Sequence, residues 1–294
     1  MRILVVGAAG MLGHDVLRAG ARAGHELVGV DLPEIDVIDP AAVEHLLHGL
    51  RDEPGPLDAV VNCAAWTDVD GAETHRRQAH AVNADGAGNL ARAAAAVEVP
   101  LVHVSTDYVF DGQAPRGPDG RERAYVESDP TGPRSVYGQT KLAGEQQVLG
   151  ACARHSVVRS AWLFGTDGPN FVQTMLRLAG ERDAVQVVDD QIGCPTWTGH
   201  LAPALVGLLE RHVSGLMHLA GGGRISWNGF AREIFRQAEV ACEVQPISTG
   251  QMPRPAPRPA WSALESERDD VLPLPPWPDG LAGYLAARAG MITS

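Results

Sequence analysis

The stretch Val5-Val6-Gly7-Ala8-Ala9-Gly10-Met11-Leu12-Gly13 decides the fold. A short apolar run leads into a G-x-x-G-x-x-G loop, and an amphipathic, helix-like segment follows it. Glycine lets such a loop turn sharply and approach a pyrophosphate, whose charge is met by N–H groups at the helix N-terminus. A glycine triplet alone is weak evidence in a chain with 33 glycines, but this one lies at a strand-to-helix junction. We therefore predict a dinucleotide site that is contacted by Gly7, Gly10, Met11, Leu12 and Gly13.

The first 160 residues alternate short apolar runs with helix-length amphipathic stretches, which is typical of a parallel sheet covered on both faces. The predicted strands are Arg2–Val6, Glu26–Val30, Ala59–Asn62, Leu101–Ser105 and Ser156–Arg159. The predicted helices are Met11–Ala23, Pro40–Arg51, Arg76–Val97 and Ser135–Cys152. The fold class is therefore α/β, a doubly wound, Rossmann-like parallel sheet with a smaller C-terminal substrate-binding region. Its ligand site is expected at the carboxyl ends of the strands.

After Arg159 glycine and proline interrupt the pattern, so we predict a dinucleotide-binding domain over 1–160 and a mainly substrate-binding domain over 161–294. Some segments of the second are expected to return to the first. Gln251–Pro259 and Leu272–Pro278 are too rich in proline for a helix or an inner strand. They are either linkers or ordered walls of a substrate cleft, and the apolar Trp261 and Leu264 that follow favour the ordered alternative.

Charge and composition exclude several classes of function. The 294 residues carry 36 acidic and 24 basic side chains, for a net charge of -12. Nucleic acids and anionic membranes are therefore not expected partners, because binding them relies on Lys and Arg. No stretch is apolar enough to cross a bilayer and no leader is recognisable, which predicts a cytoplasmic protein. The four cysteines show no C-x-x-C pairing and are expected to be reduced.

Asp31 ends the second predicted strand, where a carboxylate can accept hydrogen bonds from the adenosine ribose. It also opposes a 2′-phosphate, and no Arg or Lys lies within several residues of it. The cofactor is therefore NADH or NADPH, with NADH slightly favoured. The alternative is that Asp31 only stabilises the turn before Pro33. Ala64 and Ala65, at the end of the third strand, are small enough for a cofactor to pass close to the backbone.

Tyr137 and Lys141 lie four residues apart on a predicted helix and so project from one face. An ammonium near a phenol favours the ionised phenol and lowers its pKa from about 10 toward neutral pH, as general acid–base catalysis requires. Thr106, at the end of the fourth strand, can hold a substrate carbonyl against that phenol. A Y-x-x-x-K pair alone is more often a solvated helix face, but here it follows the glycine loop and the hydroxyls of Ser105-Thr106.

These motifs resemble those of the extended short-chain dehydrogenase/reductases and, more closely, the dTDP-4-dehydrorhamnose reductase family. The resemblance covers positions 7 to about 264 and rests on eight segments: Val60–Thr67 with Val69-Asp70 and Glu73, Val82–Ala84, Ser105–Gly112, Val136–Glu145, Arg159–Trp162, Asn170-Phe171, Asp190–Thr196 and Arg258–Ser262. The early segments are common to many nucleotide-sugar enzymes. The D-Q-x-G-x-P-T and R-P-A-x-S segments are more particular.

The resemblance implies a reductase that delivers a hydride from the nicotinamide to the C4 ketone of dTDP-4-dehydro-L-rhamnose. Tyr137 would protonate the new alkoxide, Lys141 would tune Tyr137 and bind the nicotinamide ribose, and Thr106 would orient the carbonyl. Trp162 and Asn170 would lie near the sugar, with Arg258 as a diphosphate clamp. Trp162 as a core aromatic and Arg258 as a surface charge remain alternatives.

Two positions depart from the family pattern. Gly71 stands where a lysine is common, and Asp15 stands near a glutamate that helps some relatives to dimerise around a divalent cation. The shorter Asp15 argues against a metal-linked dimer, although a homodimer remains open. The 11 histidines show no metal-ligand spacing, so no metal is expected. His75, His80 and His103 are interpreted as surface or packing residues.

Two alternative functions stay open. The same catalytic residues would serve a 4-ketoreductase for another dTDP-deoxyhexose of secondary metabolism. A non-catalytic regulatory subunit could also retain the dinucleotide fold, but the presence of both Tyr137 and Lys141 disfavours it.

Overall fold

The computed structural model describes residues 1–52 and 55–292. The strands are β1 Arg2–Val6, β2 Glu26–Val30, β3 Ala59–Asn62, β4 Leu101–Thr106, β5 Ser156–Ser160, β6 Leu163–Phe164, β7 Ala184–Val188, β8 Ile192–Gly193, β9 Thr196–Trp197, β10 Gly215–His218, β11 Ile225–Ser226 and β12 Glu243–Ile247. The α-helices are α1 Met11–Arg22, α2 Pro40–Asp52, α3 Val69–Thr74, α4 Arg76–His80, α5 Ala87–Ala96, α6 Val136–Ala151, α7 Phe171–Ala179, α8 Thr198–Glu210, α9 Trp227–Gln237 and α10 Trp277–Ile292.

Six strands form one parallel sheet in the order β10-β5-β4-β3-β1-β2. The predicted Rossmann-like α/β sheet is therefore confirmed, and the five predicted strands agree with the structure to within one residue at each end. The sixth strand, β10, comes from a part of the chain in which the sequence pattern predicted no strand. A short apolar run such as Leu216-Met217 does not identify a strand without its neighbour β5.

The four inner strands β5, β4, β3 and β1 are almost wholly buried. Alternate residues of each strand point to opposite faces of the sheet, and helices cover both faces. Leu4, Val60, Leu101 and Val157 face the helices α2, α5 and α6 in one cluster of buried side chains. Ile3, Val61, Val102, Val158 and Met217 face α1 and α8 in a second cluster. Strands enclosed in this way read as continuous apolar runs, which explains why the sequence predicts them well.

The predicted helix Arg76–Val97 is interrupted. Residues Ala81–Gly86 form a π-helical turn between α4 and α5, and such turns are frequent at functional sites. The turn places Asn83 so that its Oδ1 accepts from the Trp66 N–H at 2.8 Å and its Nδ2 donates to Thr140 Oγ1 at 3.0 Å. Asn83 thereby links the loop after β3 to α6.

The C-terminal region packs a third apolar cluster around α7, α9, β7 and β12, with Phe230 and Tyr284 at its centre. The Pro-rich segment 251–259 is ordered, since Ala256 and the following Trp261 and Leu264 are buried. The prediction for Leu272–Pro278 is wrong at its end, because Trp277 and Pro278 open α10. A proline fits there, since the first helical turn needs no N–H donor.

All four cysteines are free. Within residues 1–52 and 55–292, no helix has the length and apolar character needed to span a bilayer.

A buried ion pair fixes α6 against the sheet. Glu145 of α6 accepts from Arg159 of β5 through Nε at 2.9 Å and Nη2 at 2.7 Å, and from Ser105 Oγ of β4 at 2.6 Å. The Glu145 and Arg159 side chains are each only 3% exposed. Removing one partner of such a pair leaves an uncompensated buried charge.

We therefore expect Glu145→Gln to lower the free energy of unfolding by about 3–5 kcal/mol, because it strands the Arg159 charge. The double variant Glu145→Leu/Arg159→Met is expected to recover most of that loss, since it removes both charges. Urea denaturation measures both effects. As a control, Glu181→Gln breaks an exposed pair with Arg177 and is expected to cost no more than about 0.5 kcal/mol. Equal losses for Glu145→Gln and Glu181→Gln would show that burial of the Arg159 charge does not set the cost.

Candidate active site

The glycine loop packs directly against the end of β3. Gly7 has a φ of +79°, a conformation that favours glycine, and a Cβ built on it would lie 2.5 Å from the backbone N of Ala64. A Cβ on Gly13 would overlap the Gly7 carbonyl oxygen. The structure thus brings the predicted loop residues and Ala64 together, and only glycine at these two positions allows it.

The N-terminus of α1 presents backbone N–H groups at this loop. Gly10 is the N-cap and provides no side-chain hydrogen bond to the helix, so the first N–H groups of α1 remain available to an anion. Leu12 offers only its backbone, because its side chain is buried in the core. Met11 is partly exposed. This arrangement fits the pyrophosphate of a dinucleotide.

Asp31 lies at the rim of the same loop and is partly exposed. Its Oδ2 accepts from the Ala9 N–H at 2.9 Å, and its Oδ1 accepts from the Leu32 N–H at 2.8 Å. Asp31 therefore stabilises the turn, as one of the two sequence interpretations states. Each carboxylate oxygen has a further lone pair, so a ribose hydroxyl can bind beside these contacts.

Thr106 and Tyr137 meet at the carboxyl end of β4. Thr106 Oγ1 donates to Asp107 Oδ1 at 2.9 Å and accepts from the Tyr108 N–H at 3.2 Å. The Tyr137 ring packs edge-on against the Tyr108 ring, and the Thr106 hydroxyl lies near enough to the Tyr137 phenol to lower its pKa. A phenol, a hydroxyl and a carboxyl are thus brought near one another at the end of β4.

The environment of Tyr137 differs from the expected one. Burial and, next, the Asp107 carboxylate raise the pKa of Tyr137 to about 12, and the Thr106 hydroxyl opposes them. Lys141 is not among the groups that shift this pKa, and its Nζ donates to the Val104 carbonyl at 2.7 Å and approaches His103 Nε2 at 3.3 Å. Its role toward Tyr137 and the nicotinamide ribose stays a prediction. A phenol with this pKa is protonated at neutral pH and can donate its proton when negative charge develops beside it.

Two further groups in the site have displaced pKa values. Burial raises the pKa of Asp107 to about 6, against the hydrogen bonds from Ser262 and Thr106. Burial lowers the pKa of Lys141 to about 8, against the charge of Glu145. Displaced values of this kind are typical of catalytic sites.

The three residues predicted on the substrate side occupy different settings. Trp162, in a left-handed backbone conformation (φ +49°), stacks on Trp227 with ring centroids 3.5 Å apart. Asn170 caps α7 through Oδ1 and donates to the Gly165 carbonyl at 2.7 Å. Arg258 forms an ion pair with Asp70, in which its Nη2 lies 2.9 Å from Asp70 Oδ2. Their roles toward a substrate stay predictions.

Sequence reasoning missed several residues of this site. Asp107 stands inside the quoted Ser105–Gly112 motif, so its position was visible although its contact was not. His103 was interpreted as a surface or packing residue, but it is fully buried and contacts Lys141. Trp227 had no sequence signal, because its contact with Trp162 depends on the folding of distant segments.

Asp15 is engaged within the chain. Its Oδ1 accepts from Arg18 at 2.9 Å and its Oδ2 from Thr198 at 2.5 Å. In the part of the chain that the structure describes, no three His, Cys, Asp or Glu side chains are grouped to hold a metal ion.

Comparisons with known proteins agree with this geometry. Residues 1–289 match the family described as RmlD substrate binding domain. The chain is 44% identical over 296 residues to a dTDP-4-dehydrorhamnose reductase of Mycobacterium tuberculosis strain H37Rv, covering 98% of this chain and 93% of the relative. It is 41% identical over 288 residues to a probable dTDP-4,6-dihydroxy-2-methyloxan-3-one 4-ketoreductase of Streptomyces antibioticus, covering 96% and 93%. A crystal structure of dTDP-4-dehydrorhamnose reductase from Bacillus anthracis strain Ames in complex with NADP superposes with a TM-score of 0.90 at 34% identity, covering 97% of this chain and 99% of that one.

Asp107 provides a test of this electrostatic picture. Its pKa in the folded state is raised from 3.8 to about 6, so the folded chain binds the extra proton and loses stability as pH rises through that interval. Each pKa unit corresponds to about 1.4 kcal/mol. Asp107→Asn, which stays neutral, is therefore expected to stabilise the protein by about 3 kcal/mol at pH 8 and to have little effect at pH 4.

Urea denaturation at the two pH values measures this difference. Asp129→Asn is the control of opposite sign, because the Arg123 hydrogen bond lowers the pKa of Asp129. That variant is expected to be less stable than the wild type at pH 8, with the difference fading as the pH falls. An Asp107→Asn effect that is independent of pH would contradict the assigned environment.

Proposed function

This chain belongs to the RmlD substrate binding domain family, and from that membership we propose that it reduces the C4 ketone of dTDP-4-dehydro-L-rhamnose to dTDP-L-rhamnose with a nicotinamide dinucleotide. The observation that carries the proposal is the packing of Tyr137 against Tyr108, directly after β4 and on the same sheet edge as the glycine loop. A proton donor and a dinucleotide cradle side by side are what the reduction of a ketone requires.

The cofactor supplies the hydride that C4 receives. Tyr137 supplies the proton to the oxygen, because its raised pKa keeps the phenol protonated at working pH until charge develops on the substrate. Thr106 would hold the same oxygen once its hydroxyl hydrogen turns from Asp107 Oδ1 to the substrate. Asp107 disfavours loss of the Tyr137 proton before substrate arrives, since a second negative charge beside it is costly.

On the substrate side, we assign Arg258 to the diphosphate and the stacked pair Trp162 and Trp227 to the sugar end of the cleft. A guanidinium fork matches phosphate oxygens. The Pro-rich segment that carries Arg258 is held by Asp70, whose Oδ1 accepts from the Ala256 N–H at 3.1 Å. Asn170 caps α7, whose first residue, Phe171, packs against Trp227 at the sugar end.

The preference for NADH over NADPH is proposed from Asp31 alone. Its carboxylate at the rim of the glycine loop favours ribose hydroxyls and repels a 2′-phosphate. The relative from Bacillus anthracis was crystallised with NADP, so the preference in this chain is expected to be modest.

A second candidate function is the 4-ketoreduction of another dTDP-deoxyhexose. The relative from Streptomyces antibioticus, described as a probable 4-ketoreductase for a different sugar, favours keeping it. Assaying dTDP-4-keto sugars of different configuration, with the product configuration determined by NMR, separates the two functions. A regulatory subunit without turnover would oxidise no cofactor with any of them.

We propose that the reaction takes place in the cytoplasm. Light scattering of the purified protein measures whether it is a homodimer.

The purified protein is expected to oxidise NADH or NADPH only when a dTDP-4-keto-6-deoxyhexose is added.

Tyr137→Phe is expected to lose at least about 100-fold in kcat, because it removes the proton donor, while its affinity for the cofactor changes little. Steady-state assays that follow oxidation of the cofactor measure kcat, and fluorescence titration measures the affinity for the cofactor. Unchanged turnover in Tyr137→Phe would remove Tyr137 from the mechanism.

Asp31→Ala tests the cofactor assignment. It is expected to narrow any preference for NADH over NADPH in kcat/KM, because it removes both the ribose acceptor and the repulsion of the 2′-phosphate. The control is Asp36→Ala, because Asp36 is another acidic residue in the loop that follows β2. If the ratio for Asp31→Ala stays at the wild-type value, Asp31 serves only the turn.

A further inference from the structure

A chain of hydrogen bonds leads from β3 through β4 to Lys141 of α6. Asn62, at the end of β3, contacts His103 of β4 through Nδ2 and the ring Nδ1 at 3.0 Å. The other ring nitrogen, Nε2, lies 3.3 Å from Lys141 Nζ. His103 is 0%, Asn62 2% and Lys141 2% exposed, so water does not compete for these contacts.

The orientation of the Asn62 amide is fixed by the backbone. Its Oδ1 accepts from the Ala64 N–H at 3.0 Å, and an N–H can face only the oxygen of an amide. The NH₂ group of Asn62 must therefore point at His103 Nδ1, which has to be an acceptor. This removes the usual ambiguity of an amide flip.

A neutral imidazole with an acceptor at Nδ1 carries its proton on Nε2. The ring of His103 is neutral, because burial and the nearby Lys141 charge hold its pKa well below the ordinary value. Its Nε2–H thus points at Lys141. An ammonium has no lone pair and cannot accept this hydrogen, whereas an uncharged amine can.

We propose that Asn62 and His103 make Lys141 a proton-exchanging group rather than a fixed cation, with His103 as the positioning residue whose Nε2–H binds the Lys141 amine once a proton has left it. In the ammonium form, Lys141 keeps its hydrogen bond to the Val104 carbonyl but gains nothing from His103. Losing one proton leaves donors for Val104 and creates a lone pair for His103. The N–H bond that breaks is one of Lys141, and the proton goes to the solvent or to a basic group in the site.

The other groups around Lys141 oppose this effect only in part. Glu145, one turn later on α6, favours the charged lysine, while burial favours the amine. Burial raises the pKa of the Cys63 thiol, after β3, to about 12, so Cys63 is uncharged where Lys141 titrates. The Glu145 carboxylate is already bound by Arg159 and Ser105, which reduces its influence on Lys141. Among the neighbours of Lys141, His103 is the one that donates a hydrogen toward Nζ.

The sequence allows a direct measurement, because Lys141 is the only lysine in the chain; the other 23 of its 24 basic residues are arginines. Arginine cannot lose its proton in a protein, and lysine can. Labelling with ¹³C,¹⁵N-lysine gives a single side-chain spin system, whose pH titration reports Lys141 alone. The cofactor-free and substrate-free protein is used.

The wild-type lysine titration is expected to have its midpoint near pH 8. In a second sample, labelled with ¹⁵N-histidine, the spectrum is expected to place the His103 proton on Nε2. Two other buried histidines serve as internal references. His155 accepts from the Leu101 N–H at Nδ1, so its proton is on Nε2. His218 Nδ1 faces the carbonyls of Tyr125 and Glu265, so its proton is on Nδ1.

His103→Gln replaces the donor by an amide that can turn its oxygen to the ammonium. The Lys141 pKa is expected to rise by about one unit, the value of one hydrogen bond. Asn62→Asp is expected to draw the His103 proton to Nδ1 and to raise the Lys141 pKa as well. His155→Gln, which also removes a buried histidine, is expected to leave the Lys141 midpoint unchanged.

The consequence for turnover rests on the proposed function. In the reductase assay, the alkaline limb of kcat/KM is expected to move upward with the Lys141 midpoint in His103→Gln, which a purely structural role of His103 would not produce. The NMR titration needs no substrate, so it stands even if the reductase assay fails.

A His103 proton on Nδ1 in the wild-type protein would overturn the proposal without any variant. A Lys141 midpoint that is the same in His103→Gln as in the wild type would also overturn the proposal. If either variant fails to fold, the wild-type tautomer alone decides.

Discussion

The position of α6 depends on the buried Glu145 carboxylate. Arg159 and Ser105, on two adjacent strands, both bind it, and each contact loses its value if the helix shifts. The start of the helix is fixed separately, because Ser135 caps it and Glu73 Oε1 accepts from the Val136 N–H at 2.8 Å. Tyr137 and Lys141 lie between these two anchors. Their placement against β4 is therefore set by charge and hydrogen bonding at both ends of the helix, rather than by apolar packing alone.

Burial separates the protonation states of the site. The same loss of water raises the pKa of Tyr137 and Asp107 and lowers that of Lys141, because it always disfavours the charged form. Neighbouring groups then shift the pKa of each of these side chains differently. Thr106 donates to Asp107 and so favours its ionised form, while the resulting charge keeps the Tyr137 phenol protonated. A phenol that stays protonated beside a carboxylate is suited to donate a proton during the reduction of a ketone.

Much of the sheet could be predicted from the sequence, because strands buried on both faces are continuous apolar runs and helix α1 follows its glycine loop directly. The π turn at Ala81–Gly86 could not, since it depends on the contacts of Asn83 with Trp66 and Thr140 in other elements. At the site, spacing identified Tyr137, Lys141 and Thr106 as one group. It could not show that Lys141 turns to Val104 and His103, because strand β4 supplies both partners 37 and 38 residues before Lys141. Contacts such as Arg258 with Asp70 join segments 188 residues apart and have no local signal.

The short helix α3 connects the two sides of the cleft. Asp70 holds the Pro-rich segment through Ala256 and Arg258, and Glu73, one turn later, holds the first residue of α6. The wall assigned to the nucleotide sugar and the helix that carries the proton donor are thus tied to the same six residues. Because Asp70 already neutralises Arg258, a diphosphate has to share that guanidinium rather than find it unpaired, and the net attraction is smaller than that of a free arginine. In the proposed reaction, Arg258 would therefore contribute more to the orientation of the substrate than to its affinity, and α3 would relate that orientation to the position of Tyr137.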